Sequence, residues 1–546
     1  MRLSLSGPPF AFSLTAVIIG LLAVASRGVW ALQSRAVRWD EPNMLLLARN
    51  WLRGLGYHIA PGVPDLQWPP GAPALAALSL AAGVPIEQAL AVWHALLGAV
   101  MCVALYLLVA EVTGDRRVAA TTGLLAAVWP SLAVWPLYWG SNTEAPFLAF
   151  WLLGLWGAWR GLACQSGWAA LAAGAAFGAA YLVRPEGLLW WALFTVAAIA
   201  LLLRRQQRWW IPVVAALGFW ALAGPYVLYL SLHVGSLTLS GKTGITHLIS
   251  AADAAHGAAV GQDAGSALDS SGQEILWDSK ERFRYSLWDA VSEQPTAFVR
   301  RVLGNLREAA AVVVDPLLGV PAVVLAALGL FGQGWDRRRW LANAFWLAAL
   351  APLAVVLLFH IQPRLLAPLA PVALAWTAAG VWHLNRWSWD SLAPWPRFRR
   401  AAPLAAPLAL AALLALGLYG QVQAHRAGQA SLFPSHREAG LWLAEHSRPG
   451  EPVMSRNAEV SLYADRPPVA LPNAGWEQVL NYGRRRGAVY LVLDSWEAAN
   501  VRPQLAFLLD PARRPPEVEH LASFHDHRRT THVFRLGDPR AVSGVR

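Results

Sequence analysis

Two adjacent carboxylates, Asp40 and Glu41, follow the first hydrophobic segment of the chain. Charged side chains are costly to place near lipid, so an acidic pair here is either solvated or part of a functional site. Either carboxylate could accept a proton from a hydroxyl or an amine in a group-transfer reaction. The alternative is a helix cap, because Pro42 follows and proline is favoured in the first helical turn. We expect catalysis from Asp40, with Glu41 beside it.

Three basic residues could bind a phosphate group. Arg184 and Arg364 lie beside apolar segments, where a guanidinium can reach a lipid headgroup and bind two phosphate oxygens. Arg184 could instead pair with Glu186 or extend to lipid phosphates. Lys242 lies in a Ser-Gly-Lys-Thr-Gly stretch, whose glycines let backbone N–H groups approach an anion, although the spacing of a Walker motif is absent.

A base and nearby cations suit the transfer of a glycosyl group from a phosphate to a hydroxyl or amine. The carboxylate takes the proton of the acceptor, and the cations stabilise the departing phosphate. By analogy with glycosidases, a single displacement inverts the anomeric centre. Glu144, at the start of a later apolar segment, is a further catalytic candidate, although helix N-termini also favour acidic residues. Candidates for the substrate pocket are Tyr57, His58, Trp68, Asn142, Glu186 and His360.

Metal-ligating patterns are sparse in the sequence. His525, Asp526, His527 and His532 could bind a metal ion, but a polar hairpin between two strands is the favoured interpretation. Asp40 and Glu144 could share a divalent cation if the fold brings them together. The sequence therefore predicts no dedicated metal site or other cofactor and leaves a shared divalent cation open.

Composition places the chain among membrane proteins. Of its 546 residues, 56% are hydrophobic and only 14% are charged, which is too apolar for a soluble domain. The formal net charge is +11, but the arginines form short clusters between apolar runs, as topology signals do, so we exclude a nucleic-acid partner. The two cysteines, Cys102 and Cys164, offer no disulfide framework.

Apolar runs of sufficient length predict about eleven transmembrane helices. The predicted spans are Phe10 to Leu32, Gln88 to Ala110, Val118 to Leu137, Glu144 to Leu162, Trp168 to Val183, Gly187 to Leu203, Trp209 to Leu232, Ala310 to Gly332, Trp340 to Phe359, Leu365 to Trp382 and Ala401 to Tyr419. With a cytoplasmic N-terminus, the arginine clusters fall inside. The acidic pair, the loops 34–87 and 233–308 and the C-terminal tail then lie on the outer face of the membrane.

The sequence also predicts structure in the two outer loops and in the C-terminal tail. The half-apolar piece Met44 to Leu55 predicts an amphipathic helix at the membrane interface. The region 250–271, rich in Ala, Gly, Ser and Asp, predicts a flexible linker, with a mobile lid as the alternative. We divide the chain into a transmembrane domain, residues 1–423, and a soluble α/β domain, residues 424–546. In the latter, helices are expected at 437–446 and 476–485, and strands at 489–493 and 531–536.

An ordered set of five motifs resembles the bacterial protein O-mannosyltransferase and aminoarabinose-transferase group. The motifs are Asp40-Glu41, Trp68-Pro69-Pro70-Gly71-Ala72-Pro73, Asn142-Thr143-Glu144-Ala145-Pro146-Phe147-Leu148, Tyr181-Leu182-Val183-Arg184-Pro185-Glu186-Gly187-Leu188 and Pro363-Arg364-Leu365-Leu366-Ala367-Pro368. The resemblance spans about residues 10 to 420 and implies a GT-C fold glycosyltransferase.

The resemblance also implies the substrates and the cellular location. A polyprenyl-phosphate-linked sugar would be the donor, and an envelope lipid, glycan or protein the acceptor, at the outer face of a bacterial cytoplasmic membrane. The essential acid of the family maps onto Asp40, and a second acid onto Glu144. The aminoarabinose transferases carry a Lys before their Pro-Pro motif, where this chain has Gln67-Trp68. The alternative function is a transporter or flippase of a lipid-linked substrate, which would favour polar residues near the middle of the membrane.

Overall fold

A computed structural model describes residues 13–537, apart from 61, 285–287, 289–290, 293–294, 393, 396 and 398–399. The described part consists of a bundle of apolar helices followed by a small domain built on one β-sheet. The predicted boundary at residue 423 falls inside the last long helix, which continues to Gln429, and the next helix begins at Pro434.

The helices are numbered in chain order. They are α1 Leu14–Ala31, α2 Glu41–Leu52, α3 Gly71–Ala81, α4 Ala91–Thr113, α5 Arg116–Val128, α6 Pro130–Ala133, α7 Glu144–Cys164, α8 Gly167–Val183, α9 Gly187–Leu203, α10 Trp210–Val234, α11 Thr243–His256, α12 Ala258–Asp263, α13 Pro295–Val312, α14 Val320–Phe331, α15 Arg337–Leu350, α16 Leu369–Ser391, α17 Ala405–Gln429, α18 Pro434–His446, α19 Glu459–Ala464, α20 Trp476–Arg485 and α21 Ser495–Asn500.

The chain is a multi-pass membrane protein. Within the described residues, six helices are long and apolar enough to cross a membrane, and a seventh span arises if one bent helix pair is counted as a unit. Three further apolar helices, α3, α8 and α9, are shorter. The eleven predicted spans are therefore not all present as single long helices, although most of the predicted apolar segments are helical.

Two predicted spans are interrupted at prolines. The predicted span Ala310 to Gly332 is wrong as a continuous helix, because the segment Pro295–Leu318, which begins with α13, meets α14 at an angle of 106°. Asp315, which precedes Pro316, has extended backbone angles of φ −147° and ψ 122°. Proline disfavours a helical residue before it and cannot donate a backbone hydrogen bond. The predicted span Val118 to Leu137 likewise ends as regular helix at Val128, before Pro130.

Two predictions about the loops are also wrong. The predicted interfacial helix at Met44 to Leu55 begins earlier, as α2, and its residues Met44 to Ala48 are buried. They pack against α3 and against Leu462 of the C-terminal domain instead of lying free at the membrane surface. The region 250–271, predicted to be a flexible linker, contains the second half of α11 and all of α12.

Up to residue 537, the C-terminal domain contains five strands, β1 Val453–Ser455, β2 Pro468–Ala470, β3 Tyr490–Asp494, β4 Val518–His525 and β5 Thr530–Leu536. Their order in the sheet is β2-β1-β3-β5-β4, with β1, β2 and β3 parallel and β5 antiparallel to its neighbours. The predicted helices and strands of this domain are all present within a few residues. His525 and His532 lie on the antiparallel pair β4 and β5, as the hairpin interpretation predicted.

Candidate active site

Asp40 is held in place by the turn that precedes α7. The backbone N–H groups of Asp40 and Glu41 both donate to the carbonyl oxygen of Gly140, at 2.9 and 2.8 Å. Gly140 has a φ of +86°, and a Cβ at this position would lie 2.8 Å from the Cβ of Trp39. Because glycine lacks a Cβ and tolerates positive φ, the two backbone segments can approach this closely.

Arg364 forms an ion pair with Asp40. Its Nη1 lies 2.7 Å from Oδ2 of Asp40, and its Nε donates to Oε1 of Gln362 at 2.7 Å. The side chains of Arg364 and Asp40 are 22% and 27% exposed, respectively. A substrate can therefore reach both charged groups, in contrast to a fully buried ion pair.

Arg184 connects two further carboxylates to the segment that carries Arg364. It follows the C-terminus of α8 and donates from Nη2 to Oε1 of Glu186 at 3.0 Å. Its Nη1 lies 3.6 Å from Oε1 of Glu144 and donates to the backbone carbonyl of Arg364 at 3.2 Å. The two arginines predicted to bind phosphate are thus neighbours, although they lie 180 residues apart in the chain.

Glu144 lies behind Arg184 and is buried. Its Oε1 accepts a hydrogen bond from Ser141 Oγ at 2.9 Å, and its side chain is 0% exposed. Asn142, in the same turn, is also buried and has a positive φ of 53°. Neither the Asn142 amide atoms nor Glu144 Oε2 has a hydrogen-bond partner within the described part of the chain. This placement favours a role for Glu144 in orienting Arg184 over direct contact with an acceptor.

Lys242, in the connection between α10 and α11, lies near Asp40, Arg184 and Arg364. Its Nζ lies 3.7 Å from the ring centroid of Trp68, in a cation–π contact. Burial lowers the pKa of Lys242 to about 8, an effect that the nearby carboxylate of Asp40 opposes. The ammonium group is therefore charged at neutral pH and only weakly solvated.

His360 also borders this group of charges. Its Nδ1 lies 3.2 Å from Ser250 Oγ, on α11. Burial, together with the positive charge of Arg364, lowers the pKa of His360 to about 4. The imidazole is consequently neutral at physiological pH and can act as a hydrogen-bonding group. We call the charged residues at this site the charged cluster: Asp40, Glu144, Arg184, Glu186, Lys242 and Arg364.

The other sequence candidates lie around the cluster. Glu41 is buried and accepts two hydrogen bonds from Arg35, at 2.6 and 2.8 Å, which favours a structural role over the expected catalytic one. Tyr57 donates to the carbonyl of Trp68 at 2.6 Å and so shapes the loop beneath Lys242. For the His58 ring, no hydrogen bond or ion pair to the cluster is present among the residues that the structure describes.

Three residues that position the cluster were missed from the sequence. Arg35 anchors Glu41, Gln362 orients Arg364, and Arg38 donates to the carbonyl of Ser431 at 2.7 Å and also to that of Tyr138. The signal available was the Arg-x-x-Arg spacing directly before the acidic pair. The spacing does not by itself indicate which groups the two arginines contact.

The donor set does not fit a shared divalent cation. Within the described ranges, no three His, Cys, Asp or Glu side chains are grouped so that they could hold a metal ion. Arg364 is the ionic partner of Asp40, and Arg184 is the cation next to Glu144. A divalent cation needs several oxygen ligands where these guanidinium groups lie. We therefore derive no step through a metal ion.

Comparison with known proteins connects this geometry to a family. Residues 67–229 match the sequence model of the family described as dolichyl-phosphate-mannose-protein mannosyltransferase. This segment includes Glu144, Arg184 and Glu186 of the charged cluster. No curated protein matches the chain significantly.

Two solved structures share the fold over most of the chain. One is an oligosaccharyltransferase from Archaeoglobus fulgidus, in complex with Zn and sulfate, with a TM-score of 0.57 and 16% identity, covering 90% of this chain and 70% of that chain. The other is ArnT from Cupriavidus metallidurans bound to undecaprenyl phosphate, with a TM-score of 0.55 and 13% identity, covering 95% of this chain and 98% of that chain. The family match and the shared fold identify this chain as a membrane glycosyltransferase with the GT-C fold.

Proposed function

We propose that this enzyme transfers a sugar from a polyprenyl-phosphate donor to an acceptor in the cell envelope, and that Asp40 is the general base. The proposal rests on the proximity of Asp40 to Arg364, Arg184 and Lys242. The four residues come from four separate segments of the chain. Glycosyl transfer from a phosphate needs a base and several cations at one point.

In the proposed reaction, a hydroxyl or amine of the acceptor attacks the anomeric carbon of the donor sugar. The bond between that carbon and the phosphate oxygen breaks, and its electron pair stays on the polyprenyl phosphate. The acceptor proton passes to the carboxylate of Asp40. Because attack and departure occur on opposite faces of the sugar, the anomeric centre is inverted.

The arginines and Lys242 would stabilise the departing phosphate. Arg364 already contacts Asp40 through Nη1, and a guanidinium has further N–H donors with which it could bind a phosphate at the same time. This arrangement would bring the leaving phosphate and the base close to one sugar. Arg184, held between Glu186 and Glu144, would supply a second fixed donor, and Lys242 a compact charge.

The proposed substrates follow the proteins that share the fold. ArnT, by its description, binds undecaprenyl phosphate, and a sugar donor built on such a lipid would present its phosphate at the membrane surface. We place the cluster and the C-terminal domain on the outer face of a bacterial cytoplasmic membrane, with the N-terminus inside, because the arginine clusters follow the positive-inside rule in that orientation. An envelope lipid, glycan or protein would be the acceptor.

The test is transfer from a radiolabelled polyprenyl-phosphate sugar in washed membranes. We expect Asp40→Asn to lower the transfer rate by roughly a hundredfold or more, while donor binding is retained, since a general base typically contributes about 10² to 10⁴. Asp253→Asn, which changes a partly exposed carboxylate on α11, is the matched control and should retain full transfer.

A transporter or flippase would give a different result in the same membranes. Movement of the labelled lipid across the bilayer that is unaffected by Asp40→Asn, with no labelled product in the native enzyme, would refute the proposed transferase. Product formed at the native rate by Asp40→Asn would refute the assignment of the base.

A further inference from the structure

One side of helix α13 contacts the rest of the protein, and another side is exposed. On one side, Asn305 Nδ2 donates to the carbonyls of Leu357 and Phe359, both at 2.8 Å. On another side, Val299, Leu303 and Leu306 are 56%, 62% and 55% exposed. Residues spaced by four and three positions lie along one stripe of a helix. One side of α13 is therefore fixed to the protein while a stripe of large apolar side chains is left uncovered.

The bend after α13 determines how this helix lies relative to the membrane. Helix α14 lies at 106° to the segment Pro295–Leu318, of which α13 is the larger part. It packs closely on α16, since a Cβ at Gly329 would lie only 1.9 Å from the Trp376 carbonyl oxygen. Close packing through glycine is typical of transmembrane helix pairs. Val320 and Val324 of α14 are 61% and 60% exposed, as expected for side chains that face lipid. A helix nearly perpendicular to α14 runs close to parallel with the membrane surface.

Two exposed arginines accompany the apolar stripe. Arg300 and Arg307 are seven residues apart, which places them on the same side of α13, about a quarter turn from the stripe at 100° per residue. Apolar side chains with basic residues at their edge are the pattern of helices that lie in the headgroup layer. Basic residues at a membrane surface attract anionic lipids.

We propose that α13 is a membrane-surface helix that binds anionic phospholipid headgroups through Arg300 and Arg307. Val299, Leu303 and Leu306 insert into the boundary between headgroups and acyl chains. The inner side of the helix holds the backbone at 357–359 through Asn305, directly before His360 and near Arg364. The lipid-bound helix thereby anchors one wall of the charged cluster to the bilayer surface.

The position of the stripe is tested with a fluorophore in the full-length enzyme. Leu303→Cys, made together with Cys164→Ser because Cys164 is exposed, is labelled and reconstituted in phosphatidylcholine vesicles that contain phosphatidylglycerol. We expect quenching by lipids with a nitroxide on the acyl chain and protection from aqueous iodide. Glu519→Cys, at an exposed position on β4, is the control and should show the opposite pattern. Iodide quenching at position 303, or quenching by neither agent, would overturn the proposal.

The lipid preference is tested with nitroxide carried either by phosphatidylglycerol or by phosphatidylcholine at equal total composition. We expect at least about twofold stronger quenching at position 303 by the anionic lipid, and equal quenching in the double variant Arg300→Gln and Arg307→Gln. The control double variant Arg448→Gln and Arg513→Gln, in the C-terminal domain, should keep the preference. Equal quenching in the native sequence would show that the helix has no anionic site.

Discussion

The carboxylate of Asp40 and the guanidinium of Arg364 form an ion pair of 2.7 Å between residues 324 positions apart in the chain. Both groups are partly exposed, so the energy of their contact is modest, and the other N–H donors of Arg364 remain able to bind an incoming anion. A phosphate that binds Arg364 would leave Asp40 with a weaker cationic partner. In the proposed reaction, the ion pair would therefore couple the arrival of a donor to the availability of Asp40 as the base.

Replacement of Arg364 should weaken donor binding more than it affects the fold. We expect Arg364→Ala to raise the dissociation constant for polyprenyl phosphate by about ten- to a hundredfold, because a charge-assisted hydrogen bond contributes roughly 1.5–3 kcal/mol. Arg364→Lys should recover only part of the affinity, since the paired geometry of the guanidinium is lost. The measurement is equilibrium binding in detergent, with Arg513→Ala as the control. Unchanged affinity in Arg364→Ala would exclude Arg364 from the phosphate site.

Donor binding should depend on pH through Lys242. Burial lowers the pKa of this ammonium group to about 8, so its charge is present below that pH and is lost as the pH rises through it. We expect the dissociation constant for polyprenyl phosphate to increase between pH 7 and about 9.5 in the native enzyme. Lys242→Arg should remove this dependence, because arginine stays charged throughout. A flat profile for the native enzyme would contradict the assignment of Lys242.

The C-terminal domain should lose stability as the pH rises. His436 is buried between Glu459 Oε1 at 3.0 Å and Asp494 Oδ2 at 2.9 Å. Burial alone would lower the pKa of His436, but hydrogen bonds to the two carboxylates prevail and raise it from 6.5 to about 9. A raised folded-state pKa means that the stabilisation is complete below about pH 6.5 and is lost through about pH 9. The full effect is on the order of 3 kcal/mol.

Hydrogen exchange of β1 and β3 in the intact protein, corrected for intrinsic rates, measures this effect. Protection should fall from pH 6.5 to 9 in the native chain, and His436→Gln should be less protected at low pH with little change across that range. His446→Gln, at an exposed position on α18, should behave as the native chain does. Protection that increases with pH would reverse the predicted sign.

The ion pairs of Asp263 should stabilise the contact between the α10–α13 connection and the C-terminal domain. Its Oδ1 lies 2.9 Å from Arg456 Nε and 3.2 Å from Arg502 Nη2, and its side chain is only 1% exposed. Asp263→Asn leaves the buried Arg502 and the partly buried Arg456 without this partner, which should cost several kcal/mol locally. We expect faster limited proteolysis within residues 243–284, with Asp253→Asn as the control. Proteolysis at the native rate would show that the apolar contacts of Ile275 suffice to hold the segment.

The sequence alone determined the class of the protein and most of its helices. Apolar length and arginine distribution act locally, since any segment of about twenty apolar residues favours the bilayer whatever its neighbours do. The C-terminal helices and strands were predictable for the same reason, because their periodicity reflects which side is buried. The break at Asp315 was not predicted, although Pro316 lies within the apolar run and proline disfavours a helical residue before it.

Only the tertiary structure decided which charges meet. Asp40 and Glu41 are adjacent in sequence, yet Asp40 forms a partly exposed ion pair with Arg364 while Glu41 is buried against Arg35. Helix α2 looks amphipathic, but the C-terminal domain covers it. Such outcomes depend on helix packing between segments hundreds of residues apart, and the energy of an ion pair depends on burial that no local pattern encodes.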